Sequence, residues 1–175
     1  MDKLLPVLGT LAVVALAFAL ALAGWRRRVR RDALAGGGYP APETPAASAA
    51  TADVLYVATT RAGEHLERLA LPGLAYRGKG TVDVSSDGLC LVVAGEQPVF
   101  IPASALTGTG PASVAIDRAV EPGGLLRVGW TTSGGVPSDS YFRVVDPALR
   151  GSLTVAIDRI LPGSASPADT SESEE

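Results

Sequence analysis

Cysteine and histidine occur once each, lysine twice, and aromatic residues make up 5% of the 175-residue chain. A single cysteine, Cys90, excludes an internal disulfide. One cysteine with one histidine, His65, leaves no zinc site of the Cys/His kind. A serine-based triad would have to use His65, which lies among Glu64, Glu67 and Arg68 with no partner base or acid in view. Glycine-rich phosphate loops of the Walker or dinucleotide type are absent. Cys90 sits inside Leu89-Cys90-Leu91-Val92-Val93 and reads as a small core residue rather than a nucleophile. The chain is therefore expected to be non-catalytic, with no metal, no cofactor and no evident small-molecule substrate.

Charge is missing from one long stretch. Leu4 to Ala23 is almost unbroken apolar sequence, and Trp25-Arg26-Arg27-Arg28-Val29-Arg30-Arg31 follows it. Twenty residues at ~1.5 Å rise cover ~30 Å, the thickness of a bilayer's hydrocarbon core. Ala21-Leu22-Ala23 looks like a cleavage site, but signal peptides are positive before the apolar core, and here the arginines come after it. Basic residues after a span stay in the cytoplasm. The expectation is one uncleaved anchor in the plasma membrane, N-terminus outside and the rest cytoplasmic. Trp25 and Arg26, Arg27, Arg28, Arg30 and Arg31 would meet the lipid interface. Membrane lipids are thus expected partners through the anchor.

The formal charge of −3 hides a division. Residues 1–31 carry +5, residues 54–161 carry −1 and residues 162–175 carry −4. A nearly neutral middle argues against nucleic acid as a partner. By composition, residues 1–31 form the anchor with its basic cluster. Residues 32–52, with Gly36-Gly37-Gly38, Pro40, Pro42 and Pro45, read as a flexible linker. Residues 53–162 read as one small domain, and 163–175 as a disordered acidic tail.

Within the domain the pattern is mostly β. Val54–Val57, Thr81–Val84, Leu89–Ala94 and Pro98–Ile101 read as strands, with Ser85-Ser86-Asp87-Gly88 and Gly95-Glu96 as turns. Ser113–Ile116, Leu126–Thr131 and Ser140–Val145 add three more. Asp146-Pro147 then caps a helix whose Leu149, Leu153, Ala156, Ile157 and Ile160 share one face, ending at Pro162-Gly163. The fold class is mainly β: a transmembrane helix, then a small antiparallel β-barrel with a C-terminal helix laid over one end.

This outline resembles a pleckstrin-homology (PH) domain. The strings Gly73-Leu74-Ala75-Tyr76-Arg77-Gly78-Lys79-Gly80, Asp87-Gly88-Leu89, Phe100-Ile101-Pro102-Ala103, Val120-Glu121-Pro122-Gly123-Gly124-Leu125, Trp130 and Asp139-Ser140-Tyr141-Phe142-Arg143 are similar to those of small actinobacterial single-pass membrane proteins with a bacterial PH-like domain. The resemblance covers about residues 54–161 and the span-plus-arginines layout. It implies a PH-like barrel and a basic rim, Arg77 and Lys79, as the nearest equivalent of a lipid-binding loop. Trp130 reads as core. Tyr141 and Arg143 share a strand face, as an exposed partner-binding patch or as structural cover. The expected function is a membrane-anchored interaction module on the cytoplasmic face, binding a protein or peptide through a strand edge or an open barrel end. An anionic-lipid sensor and an accessory subunit of a membrane transport complex stand as alternatives.

Overall fold

The structure is a computed structural model and describes residues 4–33, 35–115, 118–119 and 124–163. It divides into two units, 1–34 and 35–175. The first unit is helix α1, Leu4–Ala33. Its apolar residues from Leu11 to Leu20 are largely exposed, Phe18 at 66%. Among the described residues no helix is long and apolar enough to cross a membrane. The side chains of residues 4–8, of Thr10, of Trp25 and of Arg27, Arg28, Arg30 and Arg31 lie outside the described residues, so the start of the expected span and most of its basic cluster do too.

The second unit is a sheet and a helix. Its strands are β1 (Ser48–Arg61), β2 (Glu64–Arg68), β3 (Gly78–Ser85), β4 (Gly88–Val93), β5 (Val99–Pro102), β6 (Leu106–Ala112), β7 (Val114–Ala115), β8 (Arg118–Ala119), β9 (Leu125–Thr131) and β10 (Pro137–Val144). A 3₁₀ turn, Ala103–Ala105, joins β5 to β6, and α2 (Pro147–Ile160) closes the domain. The main sheet is antiparallel in the order β5-β4-β3-β1-β10-β9-β6, with β2 paired to β1. The pairing does not close. β5 and β6 end its main path and β2 is paired on β1 alone, so the barrel expected from the sequence is an open sheet of eight strands. The turn at Ala103–Ala105 carries the chain from one edge to the other without a ladder between them.

Inward residues of every long strand nevertheless share one core: Val54 and Tyr56 of β1, Val82 and Val84 of β3, Leu89 and Leu91 of β4, Val128 and Trp130 of β9, Phe142 of β10. Helix α2 adds Leu153, Ala156 and Ile157. Asp146 caps it as its spacing before Pro147 predicts, accepting from the Ala148 amide at 2.9 Å. Leu149, expected on the buried face, is 39% exposed because it lies in the first turn, beyond the sheet's cover.

The stretch expected as a flexible linker is largely built into the domain. Residues 48–52 form the start of β1 and pair with β3. Ala35 is buried, and its carbonyl accepts from the Thr132 hydroxyl. Gly37 exchanges bonds with Ser133, its amide donating to Oγ and its carbonyl accepting from the amide, each at 3.0 Å. The Tyr39 amide donates to Phe100 O at 2.7 Å, and its hydroxyl lies 3.0 Å from Thr131 O. The three glycines serve close approach rather than flexibility. Gly36 has φ +70°, and a Cβ there would come within 2.5 Å of the Gly134 amide nitrogen; one at Gly38 would meet Val99 at 2.7 Å. Residues 35–39 thus lie across one end of the sheet, over the β9–β10 turn and beside Pro72 and β5.

Hydroxyls tie the core across β1. Tyr56 Oη lies 2.9 Å from Thr59 Oγ1 and donates to Leu74 O at 3.0 Å. Thr59 Oγ1 lies 2.7 Å from Ser140 Oγ, which accepts from Trp130 Nε1 at 2.9 Å. Burial pushes the Tyr56 phenol up to about 12, only partly offset by the Thr59 hydrogen bond and the Arg68 charge.

Leu153→Asp puts an uncompensated charge in the core and should destabilise the domain by about 3–5 kcal/mol, whereas Val155→Asp, on the exposed side, should cost within about 0.5 kcal/mol; urea titration of the full chain in detergent micelles measures both. The raised Tyr56 value means the native state holds a proton that the unfolded chain releases above its ordinary value of 10.0. The stability this group contributes is full below pH 10 and falls between pH 10 and 12, by up to roughly 2–3 kcal/mol. Tyr56→Phe should be less stable at pH 8, through the lost hydroxyl bonds, but show a shallower decline from pH 10 to 12.

Candidate functional site

A binding module can offer its open end, a strand edge or a sheet face. The end nearest the β9–β10 turn is filled by residues 35–39. Of the edges, β5 is bridged at Phe100 by Tyr39. β6 carries Pro111, which has no N–H to donate to an added strand, and its Thr109 hydroxyl is tied to Asp158 of α2 at 2.6 Å. The outer face of β4, β3 and β1 is open.

Strand alternation builds that face. Residues 52, 54 and 56 of β1 point inward and are buried, so Asp53 and Leu55 point out. Val82 and Val84 of β3 are inward, so Lys79 and Thr81 are outward. On β4, Val92 faces out between buried Leu91 and Val93. Cross-strand register then sets the neighbours. Leu55 stands opposite Lys79 on one side and opposite Arg143 of β10 on the other. Asp53 stands opposite Thr81, which stands opposite Val92. Asp53, Leu55, Lys79, Thr81, Val92 and Val145 line a groove of about 580 Å³. Leu55, Val92 and Val145 are 38%, 42% and 59% exposed there.

The electrostatics are mixed. Among the described residues Arg77, Lys79 and Arg143 have no ion pair. Asp53 accepts from the Thr81 hydroxyl at 3.1 Å. Asp83, farther along β3, accepts from the hydroxyls of Ser48 and Thr51.

The residues singled out from the sequence divide three ways. Lys79 and Arg143 come together around Leu55, although they were read as parts of two separate sites. Arg77 is exposed just before β3; Lys79 belongs to the body of the strand and not to a loop rim. Tyr141 is not a surface residue. It is fully buried on the outer side of β10, in a second apolar cluster with Leu125, Val57 and Ala112, so only Arg143 of that pair can meet a partner. Burial raises the Tyr141 phenol's pKa, against a lowering bond with Thr60. Trp130 is core, as expected. Cys90 is a correction: the inward positions of β4 are Leu89, Leu91 and Val93, which leaves Cys90 half-buried on the outer face, opposite Asp83. Burial and the Asp83 charge push its thiol up, so it is held neutral. The His65 side chain lies outside the described residues. Leu55, Val92 and Val145 were missed; an outward aliphatic in an alternating strand carries no signal until the neighbouring strands are in register.

Among the described residues no cluster of three His, Cys, Asp or Glu could hold a metal ion. No curated protein matches the chain. Among solved structures, a chain of the 8S snRNP assembly intermediate is similar at 13% identity and a TM-score of 0.45, covering 79% of this chain and 97% of that one; a likeness of that degree carries no functional weight. The sheet order, with one long first strand serving both halves and a C-terminal helix over the core, agrees with a family match over most of the chain: residues 37–158 fit the bacterial PH domain-like family, a fold that generally serves as a non-catalytic interaction module, and the chain belongs to that family.

Proposed function

We propose that this protein is a membrane-anchored, single-pass, non-catalytic interaction module whose PH-like domain works on the cytoplasmic face of the plasma membrane by docking a protein partner on the outer groove around Leu55. The observation that carries this reading is the exposure of Leu55, Val92 and Val145 in one groove, in a domain where residues 35–39 fill one end and Tyr39 bridges the β5 edge. Exposed aliphatic side chains gathered in a concavity are the surface a partner desolvates.

The anchor is supported by the apolar run Leu4–Ala23 on a 30-residue helix with five arginines after it. Confinement to one membrane raises the domain's effective concentration there. Anionic-lipid sensing has less support: Arg77 precedes β3 and Lys79 lies within it, diagonal to Asp53, and the two do not form a cradle of converging cations. A place as accessory subunit of a membrane complex would use the helix instead of the groove.

Site-specific photocrosslinking in native membranes distinguishes these readings. A photoreactive residue at 55 should yield a discrete protein adduct, and one at 155, on the far side of α2, should not. Adducts with lipid alone, or none from either position, would remove the docking reading. For topology, a reporter active only outside the cytoplasm and fused after Glu175 should stay silent, and changing all five arginines to Ser should weaken or invert the orientation. An active reporter on the native sequence would contradict the assignment.

A further inference from the structure

The groove has an internal symmetry of chemistry. Asp53 and Leu55 are two apart on β1, and Thr81 and Lys79 stand directly opposite them on β3. The four outward side chains form a rough square, about 4.8 Å across the strands and about 6.7 Å along them. Leu55 and Thr81 occupy one diagonal; the carboxylate of Asp53 and the ammonium of Lys79 occupy the other. Within these four positions a partner of a single charge sign gains at one corner and is repelled at the other; Arg143, across Leu55 on β10, lies outside the square. A surface with the same two charges in the reverse order gains at both.

We propose that the occupant of the groove is a second copy of this chain, packed face to face about a two-fold axis lying along the Leu55–Thr81 diagonal. That rotation brings Asp53 to within about 3 Å of the Lys79 position, within reach of a lysine side chain, so Leu55 meets Leu55 of the other copy and each copy's Lys79 meets the other's Asp53. An isologous interface has to be self-complementary in this way. The domain's net charge is small, −2 over residues 53–162, so the long-range repulsion opposing self-association is weak. The exposed Leu55 and Val92 supply the apolar contact. Packing of two sheets by their faces is an ordinary arrangement, at about 10 Å separation. Copies held in one membrane would meet at high effective concentration, so a modest affinity suffices. The inference rests on the groove being the docking surface.

The test uses the full chain in neutral phosphatidylcholine vesicles, with donor- and acceptor-labelled copies mixed and energy transfer recorded against protein density. The native chain should self-associate. Lys79→Asp and Asp53→Lys should each weaken self-association roughly tenfold or more, because like charges then face each other twice. A mixture of the two variants should associate again. The introduced aspartate of one would meet the introduced lysine of the other, and the native Asp53 of the first would still meet the native Lys79 of the second. Leu55→Ser in both members should abolish that recovery, which separates a specific interface from general attraction between oppositely charged proteins. A monomeric native chain, or self-association unchanged by both single swaps, overturns the proposal. If the native chain is monomeric while photocrosslinking from position 55 still yields a protein adduct of another mass, the docking reading stands and the second-copy assignment fails. If neither signal is present, both fail.

Discussion

Strand β1 is the element on which both halves of the sheet depend. Its first part, Ser48–Tyr56, pairs with β3; its later part, Val54–Arg61, pairs with β10. Between Tyr56 and Ala58 the register with β10 shifts. A bulge bends a strand and increases its local twist, which lets the two ladders turn about one core instead of lying in one plane. The shift also re-aims side chains. Tyr56 is inward, where its ring packs against Phe142 with centroids 5.9 Å apart, while Val57 faces out to the cluster around Tyr141. Tyr56, Thr59, Ser140 and Trp130 then satisfy one another across the bend. A buried hydroxyl without a partner costs about 1–3 kcal/mol, so this chain of bonds makes the bent geometry selective as well as tolerable.

What the sequence made legible follows side-chain size. The strands with large alternating residues, around Val82-Val84, Leu89-Leu91, Leu126-Val128-Trp130 and Phe142-Val144, were readable, and so was the helix after Asp146-Pro147. Two of the unread parts are built from small residues. Ser48-Ala49-Ala50-Thr51-Ala52 enters β1, and Thr107-Gly108-Thr109-Gly110 lies in β6. In both, alternation exists in the backbone but has almost no hydrophobic contrast to display. Gly36-Gly37-Gly38 misleads for a related reason: in isolation three glycines signal freedom, whereas here the missing side chains let the chain pass within contact of Ser133, Pro72 and Val99. The site was legible as single residues only. Lys79 and Arg143 could be picked out as outward cations, but they are far apart in sequence and meet through Leu55. Tyr141 shares their strand parity and is buried all the same, because Leu125 and Ala112 of other strands cover it.

The occupied end of the domain bears on where any ligand can bind. Hydrogen bonds at Ala35, Gly37 and Tyr39 hold the entering segment in place. At about 1 kcal/mol net for each bond, a competitor for that end must offset several kcal/mol before it gains anything, together with the burial of Ala35 and part of Tyr39. The outer groove carries no such handicap. Its aliphatic residues are already exposed, so covering them is favourable by about 25 cal/mol for each Å² removed from water. Among the described residues its cations have no internal ion pairs, and no folded segment of the described domain must move. The same chain segment that completes the core at one end leaves the sheet face as the surface for the proposed docking, where the order of side chains along β1 and β3, and not the shape of a mouth, would decide what fits.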